Sequence, residues 1–289
     1  MRSGQIIKYR LFLLLTVFLF SNVIKAQSPQ SKPFVLGVIE TIQSVQLSEK
    51  RTLNIYLPEG YQQNDTVKYP VIYLLDGSAD EDFIHITGLV QFLSFPWINT
   101  LPKSIVVGIA NVDRKRDFTF PTTLKKDKAS YPTSGSSAKF IAFIEKELQP
   151  FIESGYKANT NKTIIGQSLG GLLATEILFT NPTLFNTYII ISPSLWWNDG
   201  SLLNLQPKIT GTGFTQKTAI YIGVGKEGAM TGHDNHIMQE DAKKLADKIK
   251  AAKNKNTKVF FDYLPKEDHG TILHPAVFNA FRLLYPLKR

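Results

Sequence analysis

Short apolar runs recur along this chain, separated by stretches long enough to form a helix. Residues 71–75 (VIYLL) and 105–109 (IVVGI) are continuous apolar runs, a pattern typical of parallel strands that are buried on both faces. Further strand-like runs follow at residues 163–165, 188–191, 219–224 and 259–264. Strands that alternate with helices in this way predict a mostly parallel sheet with helices on both faces.

The other predicted elements complete a single domain. Residues 35–47 and 51–57 alternate between apolar and polar side chains, which predicts an antiparallel pair at one edge of an eight-stranded sheet. The sequence predicts helices over residues 82–95, 136–156, 169–179, 239–253 and 275–285. Pro150 is expected to bend or end the second of these helices. Because the sequence shows no internal repeat and no linker, we expect one domain.

The first 26 residues have the features of a secretory signal peptide. Basic residues without an acid precede the apolar run 11–20, and the small residue Ala26 follows. The run is well short of the roughly 20 residues that cross a bilayer, and an uncleaved anchor is the alternative. We expect cleavage after Ala26 and a periplasmic or secreted mature domain, residues 27–289, without a stable membrane anchor.

Composition excludes several classes of function. The chain has no cysteine, which rules out a disulfide framework, a thiolate metal site and lipid attachment through cysteine. The net charge is +9, and residues 1–26 contribute four basic residues and no acid, so the mature domain carries +5. This modest positive charge favours anionic ligands. The lysines and arginines are scattered, which argues against nucleic-acid binding.

Ser168 lies at a predicted strand-to-helix junction, in the segment IIGQSLGG. Gly166-Gln167-Ser168-Leu169-Gly170 fits G-x-S-x-G, in which a strained turn projects the serine hydroxyl above the sheet. Side chains two residues to either side would collide with the neighbouring strand and helix. Leu169 begins the helix and can direct its backbone N–H at a developing oxyanion. The alternative is a helix start with a capping serine, but the flanking strand and helix favour a nucleophile.

A serine nucleophile needs a base, which in such a fold follows the last strand. His269 stands there, in the segment PKEDHGT, directly before the final helix. His274 lies in the same connection and is the alternative base. It precedes Pro275 at the expected start of the helix, where a capping or exposed role is favoured.

The orienting acid should lie between the serine and the histidine in chain order. Glu227, in the segment GVGKEGAM after the strand 219–224, is the favoured candidate, and an exposed loop glutamate is the alternative interpretation. Asp234 and Glu240 follow further along. Asp268 adjoins His269, but sequence neighbours rarely meet in triad geometry.

Two further features concern the oxyanion and a metal. In the segment YLLDGSADEDF, the backbone N–H of Ser78 is the predicted second oxyanion donor, and that of Gly77 is the fallback. Asp76 is expected to form the turn. His233 and His236 have a spacing that suits two metal ligands, but no third ligand stands nearby, which favours a polar loop. We therefore predict no metal and no organic cofactor.

With these residues placed, the chain resembles the putative-esterase family of α/β-hydrolases, which includes enterochelin and bacillibactin esterases, feruloyl esterases, S-formylglutathione hydrolase and mycolyltransferases. The resemblance extends over about residues 41–284 and is carried by YPVIYLLDG, VVGIANVDRKRDFTFP, FIEKELQPFI, IIGQSLGG, SPSLWW and DHGT. It implies an α/β-hydrolase fold with a central, mostly parallel eight-stranded sheet. The chain is most similar to periplasmic, single-domain members that resemble siderophore esterases.

The resemblance also implies roles for individual residues. Ser168 becomes the nucleophile, His269 the base, and the N–H groups of Ser78 and Leu169 the oxyanion hole. Some periplasmic relatives use a serine and histidine pair, which leaves open whether Glu227 takes part. Gln167 stands where many relatives carry histidine.

Several residues are candidate substrate contacts. In the segment NVDRKRDFTFP, Arg116 is expected to hold an anionic group and Phe118 to stack on an aromatic acyl unit. A structural ion pair between Arg116 and Asp117 or another loop acid is the alternative. His85 is a candidate substrate contact at the mouth of the site, and an exposed helix position is the alternative. One of the two tryptophans Trp196 and Trp197 is expected to face the cleft and the other to lie in the core.

These candidates predict an exported serine esterase that hydrolyses carboxylic esters of an acylated small molecule through an acyl-enzyme. Siderophore-type or aromatic acyl esters are the favoured substrates. A feruloyl or acetyl carbohydrate esterase, an acyltransferase and a non-catalytic ligand-binding protein are the alternatives, since fold does not decide function. The sequence does not determine the oligomeric state.

Overall fold

The buried apolar runs of the sequence form the centre of one sheet in the computed structural model, which describes residues 31–64 and 66–286. The predicted signal peptide lies outside the described residues. Eight described strands make up the sheet: β1 (Val38–Ser44), β2 (Glu49–Tyr56), β3 (Tyr69–Leu74), β4 (Ile105–Ile109), β5 (Ala158–Gln167), β6 (Thr187–Ile191), β7 (Thr218–Gly225) and β8 (Thr257–Leu264).

The strand order across the sheet is β1-β2-β4-β3-β5-β6-β7-β8. β1 pairs with β2, and β2 with β4, in antiparallel register, which confirms the predicted antiparallel edge. The remaining neighbours are parallel. The sheet is therefore mostly parallel, as the continuous apolar runs predict.

Nine described α-helical segments connect or flank these strands. They are α1 (Phe83–Leu93), α2 (Arg114–Phe118), α3 (Lys125–Ser130), α4 (Ser137–Phe143), α5 (Gln149–Gly155), α6 (Leu169–Thr180), α7 (Trp197–Asn204), α8 (Met238–Ala251) and α9 (Leu273–Leu284). None of the helices in the described part of the chain is both long enough and apolar enough to cross a membrane.

Both faces of the sheet are covered. Side chains alternate between the two faces along a strand, and in β3 the neighbours Ile72 and Tyr73 are both almost completely buried. Tyr73 belongs to a core cluster that includes residues of α4, α6 and α8, whereas Ile72 does not. Because α1 and α9 contact each other and supply further buried side chains outside that cluster, they cover the opposite face.

The structure differs from the sequence prediction in three local details. β5 begins five residues earlier than predicted, because its polar first half pairs with the start of β3 at one end of the sheet. Pro150 does not end the helix but stands in the first turn of α5, directly after a π-helical turn, Ile144–Leu148, that follows α4. The short helices α2, α3 and α7 lie where no helix was predicted.

Candidate active site

Ser168 occupies a strained turn between β5 and α6. Its φ and ψ are 58° and −118°, a conformation that side-chain-bearing residues rarely adopt, and its backbone N–H donates to the carbonyl of Ile191 at 3.0 Å. A Cβ atom added at Gly166 would lie 2.4 Å from the carbonyl oxygen of Gly170. The first glycine of the motif therefore permits the close contact that the turn requires.

The second glycine of the motif does not have the predicted role. A Cβ atom at Gly170 would meet its nearest neighbours at 3.4 Å, which is an ordinary contact, whereas one at Gly171 would lie 2.9 Å from the carbonyl oxygen of Ile191. The close approach of the helix to β6 thus falls one residue later than predicted. The reason is that α6 presents Gly171, and not Gly170, to the end of β6.

Glu227 and His269 form a hydrogen-bonded pair. The Glu227 Oε2 atom lies 2.6 Å from the Nδ1 atom of His269, although the two residues stand on the loops after β7 and β8. Glu227 is only 6% exposed, so it is not the exposed loop glutamate of the alternative interpretation. Its other carboxylate oxygen, Oε1, accepts hydrogen bonds from the Ser192 hydroxyl and the Gly225 N–H.

These hydrogen bonds determine the charge of Glu227. Burial alone would raise the pKa of this carboxyl group, but the hydrogen bonds from His269, Ser192 and Gly225 together hold the pKa below its usual value. Glu227 is therefore a carboxylate at neutral pH. A carboxylate at Nδ1 keeps the proton on that nitrogen and leaves Nε2 free to accept a proton.

Ser168 and His269 line one cavity of about 340 Å³. The Ser168 hydroxyl lies 3.3 Å from the hydroxyl of Ser194. Within residues 31–64 and 66–286, no hydrogen bond joins it to the ring of His269. Catalytic hydrogen bonds often tighten only when a ligand binds, so both residues remain placed to act on the same substrate.

Gln167 links the nucleophile turn to the histidine loop. Its Nε2 atom donates to the backbone carbonyl of His269 at 2.5 Å. The sequence marks Gln167 only as a departure from many relatives and predicts no contact between it and the base. The structure shows that it ties the segment next to Ser168 to the loop that carries His269.

The other candidate acids have different surroundings. Asp268 lies at the cavity, but its Oδ1 atom accepts the N–H groups of Gly270 and Thr271 at 2.8 and 3.0 Å, so it shapes the turn before α9. Asp234 and Glu240 are exposed. Of the candidate acids, Glu227 is the one that contacts His269.

His274, the alternative base, lies against His85, the predicted substrate contact at the site mouth. His274 is exposed, and its ring packs edge-on against the ring of His85 with 5.0 Å between centroids. Neither residue contributes to the described lining of the cavity. His85 is exposed on α1, as the alternative interpretation has it, and its side chain lies against the start of α9.

The two predicted oxyanion donors are available for a ligand. Among the described residues, no hydrogen bond uses the backbone N–H of Ser78 or of Leu169. The Gly77 N–H donates to the carbonyl of Ile109 at 3.0 Å, so the fallback donor is already occupied. The oxyanion hole at Ser78 and Leu169 remains a prediction.

A partly buried ion pair supports the turn next to these donors. Asp76, which has a φ of 55°, accepts the Nε and Nη2 atoms of Arg114 at 2.6 and 2.9 Å. The Nη2 atom of Arg114 also donates to the carbonyl of Gln167 at 3.2 Å. Arg114 thus joins two loops of the site, through a bidentate contact with Asp76 and a hydrogen bond to the carbonyl of Gln167. No role was predicted for Arg114, although it stands in the same basic segment as Arg116.

The predicted substrate contacts at Arg116 and Phe118 are wrong. Arg116 donates to Asp117 at 2.8 Å and to both carboxylate oxygens of Glu49 at 2.6 and 3.0 Å, which is the ion pair of the alternative interpretation. Phe118 is fully buried and packs against Phe140. The reason is that the single turn of α2 points both side chains at the core and at β2.

The structure distinguishes the two tryptophans. Trp196 lines the cavity and packs on the ring of His233 at 4.6 Å between centroids. Trp197 is fully buried, and its Nε1 atom donates to the carbonyl of Phe120 at 2.9 Å. Trp196 is therefore the tryptophan at the cleft, and Trp197 belongs to the core.

His233 and His236 each contact a different acid. The Nε2 atom of His233 lies 3.1 Å from Asp127, and the Nδ1 atom of His236 lies 2.8 Å from Asp241. Burial lowers the pKa of His233. In the described ranges, no three histidine, cysteine, aspartate or glutamate side chains are grouped to hold a metal ion.

Comparisons with known proteins match most of the chain. A family model with the description "Putative esterase" matches residues 44–271, a range that includes Ser168, Glu227 and His269. The ferri-bacillibactin esterase BesA of Bacillus subtilis is 30% identical over 271 residues, covering 89% of this chain and 93% of that protein.

Solved structures are similar over most of the chain. An IroE-like serine hydrolase from Shewanella oneidensis is 32% identical with a TM-score of 0.76, covering 86% of this chain and 80% of that chain. The BES protein from Bacillus cereus is 26% identical with a TM-score of 0.77, covering 90% of this chain and all of that one. The architecture described above is therefore shared with these proteins.

Proposed function

The chain belongs to the putative-esterase family of carboxylic ester hydrolases, and we propose that it cleaves siderophore esters with Ser168 as the nucleophile. The observation that carries this proposal is the pair formed by Glu227 and His269 at one cavity with Ser168. A histidine that a carboxylate orients beside a strained serine is the arrangement that activates a hydroxyl for attack on a carbonyl.

The proposed reaction proceeds in two halves. The Ser168 hydroxyl attacks the ester carbonyl while His269 Nε2 takes its proton, and the N–H groups of Ser78 and Leu169 stabilise the oxyanion. His269 then returns the proton to the leaving alkoxide, and an acyl-enzyme remains. Water attacks the acyl-enzyme with His269 again as the base, which releases the acid and restores Ser168.

The shape of the cavity supports a substrate with a compact acyl arm. Its volume of about 340 Å³ lies at the small end of ligand pockets, so it suits one arm of a siderophore and not a whole macrocycle. Trp196, Met230 and Met238 supply apolar walls, and Lys226 stands at the rim. The relatives include BesA and a siderophore triacetylfusarinine C esterase of Aspergillus fumigatus, which supports a siderophore ester as the substrate.

The proposal is tested by labelling the protein with a fluorophosphonate and mapping the modified residue by mass spectrometry. We expect one adduct on Ser168 and none in Ser168→Ala. The same two proteins are then assayed on a catecholate trilactone siderophore, with and without Fe³⁺. Hydrolysis by Ser168→Ala at the wild-type rate would reject the mechanism, and labelling without siderophore hydrolysis would reject the substrate.

Export is a separate proposal. We propose that residues 1–26 direct secretion and are removed after Ala26, as the basic start and the apolar run favour. The test is the N-terminal sequence of the protein recovered from the periplasm or the medium. An intact N-terminus in a membrane fraction would support the anchor instead.

A further inference from the structure

The turn formed by Ser192, Pro193 and Ser194 lies between the two ends of the proposed triad. Ser192 and Ser194 are 0% and 1% exposed, and they follow β6 in the middle of the parallel sheet. The Ser192 hydroxyl donates to Glu227 Oε1, and the Ser194 hydroxyl lies 3.3 Å from that of Ser168. One short turn therefore contacts both the acid and the nucleophile.

The backbone of this turn is held on both sides. The N–H of Ser192 donates to the carbonyl of Gly223 on β7 at 2.8 Å, and the N–H of Ser194 donates to the carbonyl of Ser168 at 3.0 Å. Ser192 has a φ of 40°, in the left-handed region that side chains rarely adopt. Ser192 keeps this rarely adopted conformation in the core, and its hydroxyl donates to a carboxylate. These two features indicate a role for Ser192 beyond filling space in the core.

We propose that Ser192 is a positioning residue that fixes the carboxylate of Glu227 for His269, an inference that rests on the proposed serine mechanism. Glu227 lies on a loop beyond the end of β7, where no ladder pairing orients its side chain. Its Oε1 atom has two donors, the Ser192 hydroxyl and the Gly225 N–H. Removal of the hydroxyl leaves the buried oxygen with one donor and lets the carboxyl group rotate away from Nδ1.

Loss of this hydrogen bond moves the pH dependence in one direction. The Glu227 carboxylate loses a donor that stabilises its charged form, so its pKa rises and it protonates at higher pH. Protonation of Glu227 removes the carboxylate that holds the Nδ1 proton of His269, so the acid limb of the activity profile moves to higher pH.

The test measures the second-order rate constant of fluorophosphonate labelling as a function of pH. For Ser192→Ala we expect a roughly tenfold lower rate constant, the size of effect typical of a lost hydrogen bond to a charged group, and an acid limb displaced to higher pH. Ser192→Gly removes the same hydroxyl and suits the positive φ, so it keeps the test valid if the alanine variant does not fold.

Two further variants separate positioning from general disruption. Ser194→Ala is expected to change the rate constant without moving the acid limb, because Ser194 contacts Ser168 and not Glu227. Ser44→Ala is the matched control: Ser44 is 1% exposed and donates to the carboxylate of Glu147 at 2.5 Å, but it lies on β1 at the sheet edge. Ser44→Ala should change neither the labelling rate constant nor the position of the acid limb.

The outcomes are distinct. Folded Ser192 variants that label at the wild-type rate with an unshifted acid limb would overturn this inference and leave the serine mechanism intact. A lower rate with an unshifted limb would also overturn it, since that result indicates a purely structural role. A wild-type protein that does not label at all rejects the serine mechanism and this inference with it.

Discussion

The carboxylate of Glu227 lies 2.6 Å from the imidazole of His269, although 42 residues separate them in the chain. The pair forms because β7 and β8 are parallel neighbours, so the loops that follow them meet at the same edge of the sheet. Ser168 reaches that edge from β5.

Glu227→Gln should lower kcat/KM by roughly a thousandfold or more, because an amide cannot hold the Nδ1 proton as a carboxylate does. Asp268→Asn is the matched control, since Asp268 adjoins His269 but accepts backbone N–H groups that an amide oxygen can also accept. Steady-state kinetics on one ester substrate compare the variants. A loss of less than about tenfold in Glu227→Gln would show that serine and histidine suffice as a pair.

Gly166→Ala should destabilise the protein by about 3 kcal/mol, because its Cβ atom would lie 2.4 Å from a backbone oxygen that cannot move freely. Gly170→Ala should change the free energy of unfolding by less than about 1 kcal/mol, since its nearest contact is an ordinary 3.4 Å. Denaturant unfolding of the purified proteins measures both. Equal losses in the two variants would contradict the assignment of the close contact to Gly166.

Glu176, on α6, should make the protein less stable as the pH rises. Burial raises its pKa to about 7, and its Oε2 atom is among the described buried atoms without a hydrogen-bond partner. Between the ordinary pKa of 4.5 and this value, the folded state keeps a proton that the unfolded state has lost. The free energy of unfolding therefore falls by about 3 kcal/mol as the pH rises through this window.

Glu176→Gln should flatten that dependence, because the amide does not titrate. Urea unfolding at a series of pH values measures it, with Glu145→Gln as the control at an exposed position. A wild-type slope that persists in Glu176→Gln would assign the effect to another group.

Arg116→Ala should lower the free energy of unfolding by about 2 kcal/mol, because it removes hydrogen bonds to Asp117 and Glu49 that are largely shielded from water. It should leave KM for an anionic ester unchanged. Lys226→Ala should do the reverse, raising KM about threefold at unchanged stability, since Lys226 is exposed at the cavity rim. A raised KM in Arg116→Ala alone would restore Arg116 as a substrate contact.

The order of elements and the positions of the proposed nucleophile, base and acid follow from the sequence. Continuous apolar runs such as residues 105–109 indicate strands that are buried on both faces, and a glycine-flanked serine after such a run indicates a sharp turn. These are local signals, because each depends on a few adjacent residues. Since parallel strands bring their carboxyl ends to one edge, the loops that carry these three residues are expected at the same edge of the sheet.

The contacts made by individual side chains were decided by the tertiary structure. Arg114 and Arg116 stand in one segment, yet the first braces the site and the second pairs with Glu49 on β2, 67 residues away in the chain. Trp196 and Trp197 are adjacent, yet one lines the cavity and the other the core. No local pattern distinguishes such neighbours, because the direction of a side chain on a short helix or turn depends on how distant segments pack against it.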